Sequence, residues 1–155
     1  MSIMLTLDFW TEFVVAAVGT VAFSVLFFVP RKFYILNGIC GGLGWGAYLL
    51  FYCNGRSSVE ASFVASLAVI FASRYLAVVK RCPATLFMIP GIFPLIPGIS
   101  IYWTAYHVVS NNLAMAQETG FIAFKIVCVI VLAIIFVFEI PQPFFAKMAR
   151  FFRQV

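Results

Sequence analysis

The sequence predicts an all-α integral membrane protein: five transmembrane helices, the fourth discontinuous, plus a C-terminal amphipathic interfacial helix. Three observations predict it. Of the 155 residues, 65% are hydrophobic and 10% charged, and the mean hydropathy is +1.10. A soluble domain of this length cannot hide so much apolar area and keeps a charged surface. The apolar residues come in successive runs of about 20, enough to cross roughly 30 Å of hydrocarbon at about 1.5 Å per residue. Short polar or charged breaks separate the runs, and a cluster of proline and glycine interrupts the fourth.

Helix 1 is expected over Phe9–Val29, stopped by Pro30-Arg31-Lys32. No Lys or Arg precedes it, and Asp8 and Glu12 stand there instead, so it reads as a retained helix rather than a secretory leader. Helix 2 is expected over Tyr34–Cys53, ended by the turn signal Asn54-Gly55. Helix 3 should run Val59–Val79 and stop at Lys80-Arg81. Segment 4 covers Pro83–Val109 with an interruption, and the polar stretch from Ser110 to Glu118 reads as a loop. Helix 5 should run Gly120–Ile140, ended by Pro141 and Pro143.

The basic residues give orientation. Arg31, Lys32, Lys80, Arg81, Lys147, Arg150 and Arg153 fall at one set of helix ends, and only Arg56 at the other. The first set should face the cytoplasm, with the N-terminus outside. Trp10, Tyr52, Trp103 and Tyr106 then fall near the outer interface, while Trp45, deep in helix 2, reads as a packing residue. The formal net charge of +5 is read as this orientation signal, not as a nucleic-acid footprint. The tail places Phe144, Phe145, Met148, Phe151, Phe152 and Val155 on one stripe, with Lys147, Arg150 and Arg153 opposite. It is expected to lie on anionic membrane lipids, with docking on a partner subunit as the rival reading. The division is a transmembrane domain over 1–142 and an amphipathic tail over 143–155.

The stretch Ile89-Pro-Gly-Ile-Phe-Pro-Leu-Ile-Pro-Gly-Ile-Ser100 carries the functional signal. Pro90, Pro94 and Pro97 each remove a backbone donor, and with Gly91 and Gly98 they forbid a regular helix. Broken backbone at membrane depth is tolerated only inside protein or beside a watery cavity. A short half-helix over Pro83–Ile89 and a second from Gly98 outward are expected. The second would present the N–H groups of Gly98, Ile99 and Ser100 to an anion near the midplane. The alternative is a kinked packing helix without ligand.

Gly38, Gly42 and Gly46 lie four residues apart on helix 2, beside Gly41 and Gly44, and read as a helix-packing face. Arg74 and Lys125 lie inside helices, near enough to an interface to reach it; Arg74 is a candidate for the substrate's negative charge. Glu60 and Glu139 read as helix-end groups, and the single histidine, His107, as a satisfied polar residue. Cys40, Cys53, Cys82 and Cys128 form no C-x-x-C pair and read as packing residues. No nucleophile–base pair, metal cluster or cofactor motif stands out, so no enzyme activity, metal or cofactor is expected.

The segment from Ile89 to Tyr102 resembles the signature of the threonine/serine exporter family. Phe28-Val29-Pro30, Gly41-Gly-Leu-Gly-Trp45 and Glu60-Ala-Ser-Phe-Val-Ala-Ser66 support the resemblance. It implies a small, separate C-terminal half, like the smaller subunit of the bacterial succinate exporter pair. It also implies a larger membrane subunit as partner, an oligomeric complex in the inner membrane, and export of threonine, serine or dicarboxylates. Pro90, Gly91, Pro94, Pro97, Gly98 and Tyr102 carry over by position. Two other readings stay open: a scaffold subunit that transports nothing itself, and a homo-oligomeric channel.

Overall fold

The computed structural model describes residues 7–154, with side chains for residues 9–150. All regular structure among them is helical: α1 Leu7–Leu26, α2 Tyr34–Cys53, α3 Ser58–Lys80, α4 Thr85–Ile92, α5 Gly98–Val109, α6 Leu113–Glu139 and α7 Gln142–Gln154. Short 3₁₀ turns at Arg31–Phe33 and Phe93–Leu95 precede α2 and follow α4. The chain is an all-α membrane protein. Four helices (α1, α2 with its preceding turn, α3 and α6) are long and apolar enough to cross a bilayer. The α4–α5 pair, bent by 51°, would make a fifth span.

Neighbours in sequence pack as neighbours in space from α1 to α3; α6 then lies on α3, α5 on α6, and α4 wedges against α2 and α3. The central core joins Ala65 and Val69 of α3 to Leu95 and to Ile126 and Ile130 of α6. Arg31, Lys32, Lys80 and Arg81 gather at one end of the bundle, called here the basic end.

Several boundaries differ from expectation for local reasons. α1 stops at Leu26, short of Val29, because Phe28 adopts a left-handed backbone (φ 55°). Val29 N–H then reaches back to Ser24 O at 3.0 Å, closing the helix ahead of Pro30. α3 ends the same way: Arg81 has φ 53° and Cys82 N–H donates to Ala77 O at 3.0 Å. The polar stretch expected as a loop from Ser110 to Glu118 is a turn only to Asn112. There Asn112 Oδ1 accepts Met115 N–H at 3.4 Å and starts α6 at Leu113.

The glycine face of α2 meets α1. A Cβ on Gly38 would come 3.1 Å from Val21, one on Gly42 2.8 Å from Phe13, and one on Gly46 3.4 Å from Phe13. Gly41 is closed off by Thr20 and Gly44 by Val69, so the neighbouring glycines are needed as well.

The tail helix α7 folds back on its own bundle, a packing the sequence reading did not include. Phe145 is fully buried, 5.1 Å from the Phe71 ring of α3, while Lys147 and Arg150 stay exposed. The side chains of Phe151, Phe152, Arg153 and Val155, expected on its two stripes, lie outside the described residues.

Candidate functional site

Segment 4 is broken in two chemically different ways. α4 continues through Pro90 to Ile92, three residues past the expected end at Ile89. Pro90 has no N–H for the carbonyl one turn back, that of Leu86. Asn37, fully buried near the start of α2, supplies the missing donor: its Nδ2 donates to Leu86 O at 3.1 Å and to Ser24 Oγ at 2.8 Å. Gly91 follows, buried, where a Cβ would come 2.8 Å from Val69. This first break is closed by packing and by the Asn37 amide N–H, while Asn37 Oδ1 stays buried without a partner among the described residues.

The second break is open. Pro97 (φ −76°, ψ 57°) forms a tight turn in which Gly98 N–H donates to Ile96 O at 2.7 Å. Of the three amides expected to be free, Gly98's is therefore used, and those of Ile99 and Ser100 are left without a backbone acceptor among the described residues. α5 runs from Gly98 to Val109, about 18 Å at about 1.5 Å per residue, so these amides lie about 18 Å from its far end.

Beside them is a cavity of about 320 Å³, lined by Pro94–Ser100, Trp45 and Tyr48 of α2, Ser58 and Ser62 of α3, and Ile126 of α6. Its size is at the lower end for small-molecule sites. Ser62 is only 2% exposed and lines this cavity beside the two amides. Two amides without backbone acceptors, next to a serine side chain in the cavity wall, favour a ligand with acceptor oxygens.

Pro94, Pro97, Gly98 and Ser100 thus share one cavity. The other candidates stand elsewhere. Pro90 and Gly91 belong to the closed break. Tyr102 is 63% exposed and does not line the cavity. Arg74 sits 12 residues beyond Ser62 on α3, about 18 Å along the axis, and lines a different cavity at the basic end. The expected meeting of Arg74 with the α5 N-terminus is not what the fold makes.

Arg74 is turned into the bundle at that end. It is 9% exposed, its Nη1 donates to the carbonyls of Val137 and of Ile140 (2.7 Å), and its guanidinium lies 4.6 Å from the Phe145 ring centre. It closes the C-terminal end of α6, where carbonyls lack partners. Lys125 is exposed, with Nζ 4.6 Å over the Phe121 ring. Glu60 pairs with Arg56 at 3.7 Å, one turn away and exposed, and Glu139 is exposed at its helix end. His107 stacks on Trp103 (5.8 Å between ring centres), and its buried Nδ1 has no partner among the described residues.

Sequence reasoning missed Asn37, Ser62 and the pairing of Glu12 with Trp45. The Trp45 indole N–H donates to Glu12 Oε2 at 3.1 Å, so this tryptophan also holds a carboxylate of α1, in a separate pocket that shares Trp45 and Pro94 with the first. Its ring stacks on Tyr48 (5.0 Å), which stacks on Tyr52 (5.6 Å), toward the end opposite the basic one. The signal for Asn37 was available: a proline in a buried helix demands a donor, and Asn37 is an amide at membrane depth.

The family model described as Threonine/Serine exporter, ThrE, matches residues 12–140. The chain belongs to the threonine/serine exporter family. In this exporter-family chain the match runs from Glu12 in α1 to Ile140 at the end of α6, taking in both breaks and the cavity at the second. The family is one of transporters. No solved structure matches the chain.

Proposed function

We propose that this chain is the small subunit of a two-component secondary exporter for small carboxylate-bearing metabolites, dicarboxylates such as succinate or amino acids such as threonine and serine. The α4–α5 pair is one broken span, giving five in all. The basic end faces the cytoplasm of a bacterial inner membrane and the N-terminus the periplasm, as the charge asymmetry favours. The partner is a larger membrane subunit of the same family.

One observation carries the reading: the amides of Ile99 and Ser100, which have no backbone acceptor among the described residues, lie on the same cavity as Ser62. A carboxylate would accept from these donors and gain from the α5 dipole. Pro94, Pro97 and Gly98 shape the turn that offers them; Pro90 and Gly91 hold the half-helix before it. The chain carries no nucleotide-binding motif, so an ion gradient is the proposed drive.

The test is export by cells carrying Gly98→Ala or Ser62→Ala together with the partner subunit. Reduced export at normal membrane levels supports the site, and unchanged export refutes it. The second reading, a scaffold subunit, is favoured by α5, which buries no residue within this chain and leaves Ile99, Tyr102 and Val109 exposed.

A further inference from the structure

At the basic end, about 750 Å³ of space lies between the end of α3, the start of α4 and the α6–α7 elbow. Arg74, Arg81, Cys82, Ala84, Thr85 and Gln142 are among its lining residues, and no Asp or Glu is. Arg74 is nine-tenths buried, yet only its Nη1 hydrogens are taken, both by neutral carbonyls. A guanidinium has five N–H donors. The Nε and Nη2 hydrogens have no acceptor among the described residues, and these atoms are not sealed in. No carboxylate pairs with Arg74 within the described residues.

A buried cation without a counter-charge is costly unless something negative approaches it. The start of α4 adds to the same field. Its N-cap, Ala84, offers no side-chain cap, and the amides of Ala84 and Thr85 have no backbone acceptor among the described residues. Arg81 stands at the rim as a second cation.

We infer that this cavity is a binding site for an anionic oxygen group, a carboxylate or a phosphate, held between Arg74, Arg81 and the N-terminus of α4. It is separate from the cavity at the α5 N-terminus and stands whether or not that one binds substrate. The group can come from a soluble anion or from a lipid headgroup; the chemistry of capture is the same.

Cys82 lines the cavity and serves as reporter. The other three cysteines are replaced by alanine, and the chain is placed in nanodiscs of phosphatidylcholine. The rate of Cys82 alkylation by a neutral maleimide is then measured with malonate, with inorganic phosphate, or with chloride at equal ionic strength. A parallel set uses phosphatidylglycerol without added anion. Arg81→Gly is the key variant, because glycine suits the left-handed backbone at this position (φ 53°) and removes the charge without straining the fold.

Protection of Cys82 by malonate or phosphate in phosphatidylcholine identifies a soluble anion as ligand; protection by phosphatidylglycerol alone identifies a headgroup. Either supports the site if Arg81→Gly weakens it, by about tenfold in half-protecting concentration for a soluble anion. Equal alkylation in every condition, or protection that Arg81→Gly leaves unchanged, overturns it.

Discussion

The two breaks in segment 4 begin with the same chemistry and end differently. Pro90 and Pro97 each cost the backbone a donor. At Pro90 the loss is made good by Asn37, and Gly91 lets the helix press onto Val69. At Pro97 the chain turns, two amides stay without a backbone acceptor among the described residues, and Ser62 lines the gap. A proline in a membrane helix is therefore structural where a neighbouring side chain completes its hydrogen bonds, and a candidate for function where the open donors meet a cavity.

The largest expected effect breaks the closed side. Asn37→Leu leaves the Leu86 carbonyl unmet and the Ser24 hydroxyl without a donor. It should lower stability by about 2 kcal/mol, measured by thermal unfolding in detergent. One substitution made at both breaks sharpens the contrast. Gly91→Ala drives a methyl to 2.8 Å from Val69 and should cost about 1–3 kcal/mol. Gly98→Ala meets nothing within 4 Å and should change stability by less than about 0.5 kcal/mol while reducing export. Equal destabilisation by the two would remove the distinction.

Ser62→Ala should likewise leave unfolding unchanged and slow export roughly tenfold or more, the loss of one hydrogen bond to a charged ligand. The smallest effect lies where segment 4 begins. Burial pushes the Cys82 thiol above its ordinary range, with Lys32 and Lys80 pulling it partly back. The neutral thiol therefore persists to higher pH. Alkylation of Cys82 should reach half-maximal rate above the pH found for a free thiol, and Lys80→Gln should raise it further.

The spans were legible because apolar length and charged ends are written in consecutive residues. The expected helix over Tyr34–Cys53 coincides with α2, and that over Val59–Val79 differs from α3 by one residue at each end. Segment 4 was legible as broken, since no packing can return an N–H to proline. What stayed hidden depends on residues far apart in the chain. Asn37 and Leu86 are 49 residues apart, and Arg74 and Ile140 are 66 apart. Depth alone left Arg74 free to face any neighbour. The fold turned it to the carbonyls of α6 and away from the cavity that Ser62 lines. The early start of α6 was lost because Asn112 reads as a turn residue and also caps.

The most direct measurement is water access at the open break. In a cysteine-free background, Ser100→Cys and Ser66→Cys are treated with a charged, water-soluble thiosulfonate in the membrane-embedded protein. Ser66 is fully buried in α3, and a cysteine there should stay unmodified. The account predicts rapid modification at position 100, slowed by the exported carboxylate. No modification at position 100, with or without the partner subunit, would contradict it.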